Sequence, residues 1–154
     1  MAPLAAGLLL ALAVTWSDFD LAGTARTAAA QVTQRFAPAG KTLWFEGHWG
    51  FQYYMEARGA SPLDLERSRL TIGDRVVVPD NNSNLFPLPP DAVAPRARSD
   101  FAAFPFLTTL SPDLGAGFYL DIWGPLPFAF GRVPPERYLV LDVVRDFAPG
   151  TIAR

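Results

Sequence analysis

Cysteine is absent from this sequence, and histidine occurs once. Without cysteine there can be no disulfide, no thiol nucleophile and no thiolate-ligated metal. With His48 as the only imidazole, a metal site would rest on carboxylates such as Asp80, Asp91 and Asp121, and their spacing fits no calcium loop. Charge is scarce too, at 18% of residues against the usual quarter or so. The 13 basic and 15 acidic residues form no basic block or stripe, so nucleic-acid binding lacks its electrostatic footprint. Nothing calls for a cofactor: Gly115-Ala116-Gly117 lacks the third glycine, and the flanking strand and helix, of a dinucleotide fingerprint and reads as a turn. A complete catalytic constellation is missing as well.

What remains is apolar and irregular. Half of the 154 residues are hydrophobic, a balance that leans towards a membrane-associated chain or one with much buried surface. The length suits one domain, or one domain plus an anchor. Fifteen prolines and twelve glycines imply long irregular connections.

Ala2 to Trp16 is an uncharged run that as a helix would reach about 22 Å, short of a hydrocarbon core of about 30 Å. Three readings compete. A signal peptide has an apolar stretch of this length, but nothing basic precedes it and no clean small-x-small cleavage site follows. A buried helix apolar on every face needs cover on every face. The outer end of a transmembrane helix fits best, because polar sequence begins abruptly at Ser17-Asp18 with Trp16 at the interface position that indole favours. Ser17 or Asp18 is then expected to cap a second, amphipathic helix to about Phe36, with Leu21, Ala25, Ala28, Val32 and Phe36 on its apolar face. Pro38 and Gly40 end it, and the linker runs to residue 40.

An α/β domain is expected over residues 41–146, built as a small three-layer fold with a partly parallel sheet. Leu43-Trp44-Phe45 and Arg75-Val76-Val77-Val78 are continuous apolar runs, as parallel strands covered on both faces require. A short helix from Phe51 to Arg58 lies between them, which is the order of a βαβ unit. Gly59 suits the end of that helix. Residues 79–98 read as a long Pro-rich loop. Phe101 to Leu110 offers an edge strand broken at Pro105, and Asp121 to Pro127 a rigid aromatic loop. Arg137 to Val144 is the last strand, and residues 147–154 form a tail expected to fray. Trp123, Phe128, Phe130 and Tyr138 read first as packing residues, with an interfacial aromatic belt as the sharper alternative.

The candidate site lies where the two parallel strands end. Glu46 and His48 stand at the carboxyl end of the first, in the turn Gly47-His48-Trp49-Gly50, and a carboxylate near an imidazole invites acid/base chemistry. No nucleophile accompanies them, so neither is assigned as catalytic. Asp80-Asn81-Asn82 follows the second strand directly and is expected beside that turn. Trp49 would supply a flat apolar face, and Glu46, His48, Asp80, Asn81 and Asn82 the hydroxyl partners, of a carbohydrate site. Turn chemistry alone also explains the Asn-rich loop.

Taken together, Ala2 to Trp16, the following helix, LWFEGHWGFQYYMEARG (43–59) and GDRVVVPDN (73–81) resemble the extracytoplasmic C-terminal domain of bacterial membrane glycosyltransferases of the protein-mannosyltransferase and aminoarabinose-transferase type. In that family a strand and a tyrosine-bearing helix, here Tyr53-Tyr54, open a small α/β domain carried on a multi-helix membrane body. The resemblance covers about two thirds of the chain. It implies an accessory domain outside the inner membrane, on its periplasmic or extracellular side, that assists transfer from a lipid-linked sugar donor. Those enzymes share an acidic residue in the first extracytoplasmic loop, which this sequence cannot supply. The resemblance therefore implies a truncated or detached piece that is inactive alone, and no catalytic residue carries over. The alternatives are a free-standing periplasmic carbohydrate-binding module and a small hydrolase using Glu46 and His48.

Overall fold

A computed structural model describes residues 2–151 of the chain, so the end of the expected tail, 152–154, lies outside the described residues. One helix, α1 (Ala2–Phe36), opens the fold and runs unbroken for 35 residues, about 52 Å. The break expected at Ser17-Asp18 does not occur. Those two side chains have tertiary partners instead of capping a new start. Ser17 Oγ donates to the Leu107 carbonyl, and the Asp18 carboxylate accepts from Thr109 Oγ1 and Tyr119 OH, each at 2.6 Å. The helix's one proline, Pro3, falls in the first turn, where no intrahelical N–H is lost, and Gly7 and Gly23 each cost a helix only about 1 kcal/mol. The amphipathic face of the second half is as expected, with Ala28, Ala29 and Val32 fully buried and Arg26, Gln34 and Arg35 exposed.

The chain divides into two compact units: one of Met1–Thr24 with Phe101–Glu136, the other of Ala25–Asp100 with the chain from Arg137. The larger holds the sheet. Its strands are β1 (Leu43–Phe45), β2 (Ser61–Pro62), β3 (Arg75–Pro79), β4 (Val93–Phe101) and, after four short strands elsewhere, β9 (Glu136–Val143), in spatial order β2-β1-β3-β9-β4. β1 lies parallel to both neighbours, with Trp44 opposite Ser61 and Val76, while β9 is antiparallel to β3. The helix α2 (Trp49–Glu56) connects β1 to β2, starting two residues before the expected position. The α/β expectation, with parallel strands and a preceding apolar helix, is therefore met.

Both faces of the sheet are covered, which is why its central strands read as unbroken apolar runs. On one face Phe45 meets Phe51 of α2 edge-on at 5.9 Å, and Phe51 meets Tyr138 of β9 at 4.9 Å. On the other, Leu63, Leu70, Val76, Ala92, Val143 and Phe147 form a buried cluster. The Pro-rich loop is shorter than expected, because β4 already begins at Val93. Pro95 is tolerated there since β4 is the edge of the sheet, where a missing N–H costs no ladder bond. Side chains tie β4 to β9, through Arg96 with Asp142 at 3.0 Å and Arg137 with Asp100 at 3.6 Å.

The smaller unit contains β5 (Leu107–Thr108), β6 (Leu110–Ser111), β7 (Ala116–Gly117) and β8 (Ala129–Phe130), paired as β5–β8 and β6–β7. The expected interruption at Pro105 falls between β4 and β5. Gly115 and Gly124 both have positive φ, and a Cβ on Gly124 would stand 2.2 Å from the Gly115 carbonyl oxygen. Two backbone segments cross there at a distance only glycine permits.

Candidate functional site

β1 and β3 end side by side, and the chain leaves them in opposite directions. From β1 it passes through α2 to β2, and from β3 it goes on to β4 beyond β9. Such a divergence leaves a crevice outside the carboxyl ends of the strands, the place where open α/β sheets bind ligands.

Glu46 is the first residue after β1 and is 2% exposed. Its backbone N–H continues the sheet ladder to the Val77 carbonyl at 2.9 Å, which fixes the side chain at the crevice. Oε2 accepts the Phe86 N–H at 3.2 Å, and the buried Oε1 takes no hydrogen bond. Burial penalises the anion more than one N–H relieves it, and the pKa rises to about 7. A carboxyl group poised there exchanges its proton at physiological pH.

Gly47 follows with φ near 99°, and a Cβ at that position would come within 2.9 Å of Pro79 Cγ and 3.1 Å of Asn82 Cγ. The close approach lets the two loops join. Gly47 N–H donates to the Asn84 carbonyl at 3.3 Å, and His48 N–H donates to Asn82 Oδ1 at 2.7 Å. Asn82 Oδ1 also accepts the Ser83 N–H at 2.9 Å, so this one side chain closes its own loop and clamps the other.

His48 precedes α2 without capping it through its side chain. Its Nδ1 lies 2.6 Å from Gln52 Oε1, and Gln52 Nε2 donates to Glu56 Oε1 at 2.7 Å. The Gln52 amide is oriented by Glu56, so its oxygen faces the imidazole and the proton sits on Nδ1. In the neutral ring Nε2 is then the acceptor. Trp49 begins α2 with φ of 55°, an unusual conformation for a bulky residue, and is 40% exposed with its ring 6.1 Å from that of His48. Strain of this kind concentrates at functional sites.

Of the six candidate residues, Glu46, His48, Trp49 and Asn82 come together. Asp80 pairs instead with Arg137 of β9, at 2.9 Å. Asn81 is half-buried next to it. Gln52, Glu56 and the Phe86 amide are members that residue pattern alone missed. The i, i+4, i+8 spacing of His48, Gln52 and Glu56 on a helix would have revealed the first two. Among the described residues, no three His, Asp or Glu side chains gather as a metal would need.

No family model, curated protein or solved structure matches this chain. What the crevice can do follows from its chemistry. It holds a carboxyl that titrates near neutrality, an imidazole with an open acceptor, an indole surface and backbone-clamping amides, a set suited to hydroxyl-bearing ligands.

Proposed function

We propose that this chain is a membrane-tethered α/β domain on the outer face of a bacterial inner membrane. In this reading it holds the sugar of a lipid-linked donor, or the acceptor, for a glycosyltransferase, and does not transfer sugar alone. The observation that carries the proposal is Glu46: a buried carboxyl with one idle oxygen, at the divergence of β1 and β3, on a chain whose first helix is apolar enough to cross a membrane. A half-satisfied buried carboxyl is costly unless something else uses it, and sugar hydroxyls both donate and accept.

Titration of the full chain in detergent with polyprenyl-phosphate sugars tests this. Saturable binding is expected, weakened about tenfold, or 1.4 kcal/mol, by Glu46→Ala, Trp49→Ala or Asn82→Ala. Absence of saturable binding by the wild-type chain rejects the proposal. Equal affinity for the sugar without its lipid would favour a carbohydrate-binding module.

One observation favours a second reading. The Glu56–Gln52–His48 chain leaves Nε2 open as a base, as a small hydrolase would need. That reading requires turnover of a glycoside or ester that His48→Ala abolishes.

A further inference from the structure

The smaller unit carries an apolar surface that its own core does not use. Phe106, Phe118, Tyr119, Ile122, Leu126 and Phe130 are exposed, Ile122 to 80%. Backbone hydrogen bonds join the segments that carry them: Gly131 N–H to the Phe106 carbonyl at 3.1 Å, Gly117 N–H to the Leu126 carbonyl at 2.8 Å, and Phe118 N–H to the Thr109 carbonyl at 3.0 Å. Phe118 and Tyr119 pack edge-on at 4.9 Å. Exposed apolar groups this dense mark an interaction surface.

The position of the patch says what covers it. Within this unit, Asp18 of α1 accepts from both Thr109 and Tyr119, and Ser17 donates to Leu107. These bonds fix the patch to the point where the apolar run ends, beside Trp16 and Phe19, which are themselves exposed and 6.2 Å apart. Leu4, Leu8, Leu9 and Leu12 of the run are exposed as well, so the run has no protein cover in this unit. Wherever those leucines enter lipid, Tyr119 lies at the level of the headgroups. Charge is sparse in the unit, at Asp18, Asp20, Asp113, Asp121, Arg132 and Glu136, and mostly acidic, so its hold on the bilayer rests on apolar contact and not on attraction to anionic headgroups. Asp121, next to Ile122, confines insertion to the boundary rather than the hydrocarbon.

We infer that Phe106, Phe118, Tyr119, Ile122, Leu126 and Phe130 form an interfacial platform that inserts its side chains into the headgroup–acyl boundary of the bilayer entered by α1. Apolar faces of this kind sink about 5–10 Å into that boundary, and aromatic residues favour it. The platform would hold the unit against the membrane at several points rather than by one helix. The inference does not depend on what the β1–β3 crevice binds.

The absence of cysteine makes the test clean. Single variants Phe118→Cys, Ile122→Cys and Phe130→Cys of the full chain are labelled with a nitroxide and reconstituted into phosphatidylethanolamine–phosphatidylglycerol vesicles. Leu8→Cys serves as the lipid standard and the free label in buffer as the aqueous one. Collision rates with oxygen and with a water-soluble nickel chelate are compared. The oxygen-to-nickel ratio at 118, 122 and 130 is expected to rise several-fold above the aqueous standard, towards the value at position 8. A ratio equal to the aqueous standard overturns the inference. So does shielding from both reagents, which would mean that a protein or a second copy covers the face. Unchanged tryptophan fluorescence certifies the fold of each labelled chain.

Discussion

Two buried carboxylates stand at opposite ends of the β1–β3 pair, and they are treated very differently. At the amino ends, Asp74 is surrounded by donors. It accepts from the Thr42 and Thr71 N–H groups at 3.0 and 2.9 Å, from the Trp44 indole at 3.1 Å and from the Thr71 hydroxyl at 3.3 Å. Burial pushes its pKa up, but these bonds outweigh that and leave it below the usual carboxylate value. At the carboxyl ends, Glu46 has one N–H for two oxygens, and burial prevails. Asp74 is completed by the fold and holds the strands together. Glu46 is left incomplete, and incompleteness at a crevice is what separates a candidate binding group from a structural one.

The contrast can be broken most forcefully at Asp74. Asp74→Ala leaves the Thr42 and Thr71 N–H groups and the Trp44 indole without their acceptor, and denaturant unfolding is expected to show a loss of about 4 kcal/mol. At Glu46 the expected sign is reversed. A group whose pKa rises on folding contributes fully below its unfolded value near 4.5, and that contribution is lost as pH climbs to about 7. Glu46→Gln removes this loss, so the variant should exceed the wild type in stability at pH 8, by no more than about 3 kcal/mol, and by little at pH 4. Unfolding curves at the two pH values check it, and a Glu46→Gln penalty that grows with pH would refute the account. Asp74, with a lowered pKa, contributes in the opposite direction, and its share disappears only as pH falls below about 4. The smallest effect belongs to the hinge between the two loops. Gly47→Ala adds a Cβ at positive φ against Pro79, and a loss of about 2 kcal/mol in thermal unfolding is expected.

The central strands were legible because burial on both faces leaves a run of apolar residues with nothing to disguise it. Leu43 to Phe45 and Arg75 to Val78 could be placed to within a residue. Glu46, His48 and Asn82 were legible because strand ends and turn residues locate one another. The unbroken course of α1 was not, since a serine and an aspartate that cap a helix look the same as a pair engaged by Leu107, Thr109 and Tyr119. β4 was hidden by Pro95 and by Arg96, Arg98 and Asp100, whose partners lie on β9 or beside them in the strand. The ion pair of Asp80 was hidden for the same reason: Arg137, 57 residues away, claims it, and no local pattern encodes so distant a partner.

The register of β3 on β9 also sets a timetable. Arg75 waits for Asp142, 67 residues later, before its strand has a second neighbour. At cellular rates of synthesis that interval is roughly 3–13 s. Throughout it, Arg75 to Pro79 presents an open row of backbone donors and acceptors next to exposed valines, the kind of edge on which nascent chains aggregate. A chain halted within Phe101–Glu136 would carry that edge permanently.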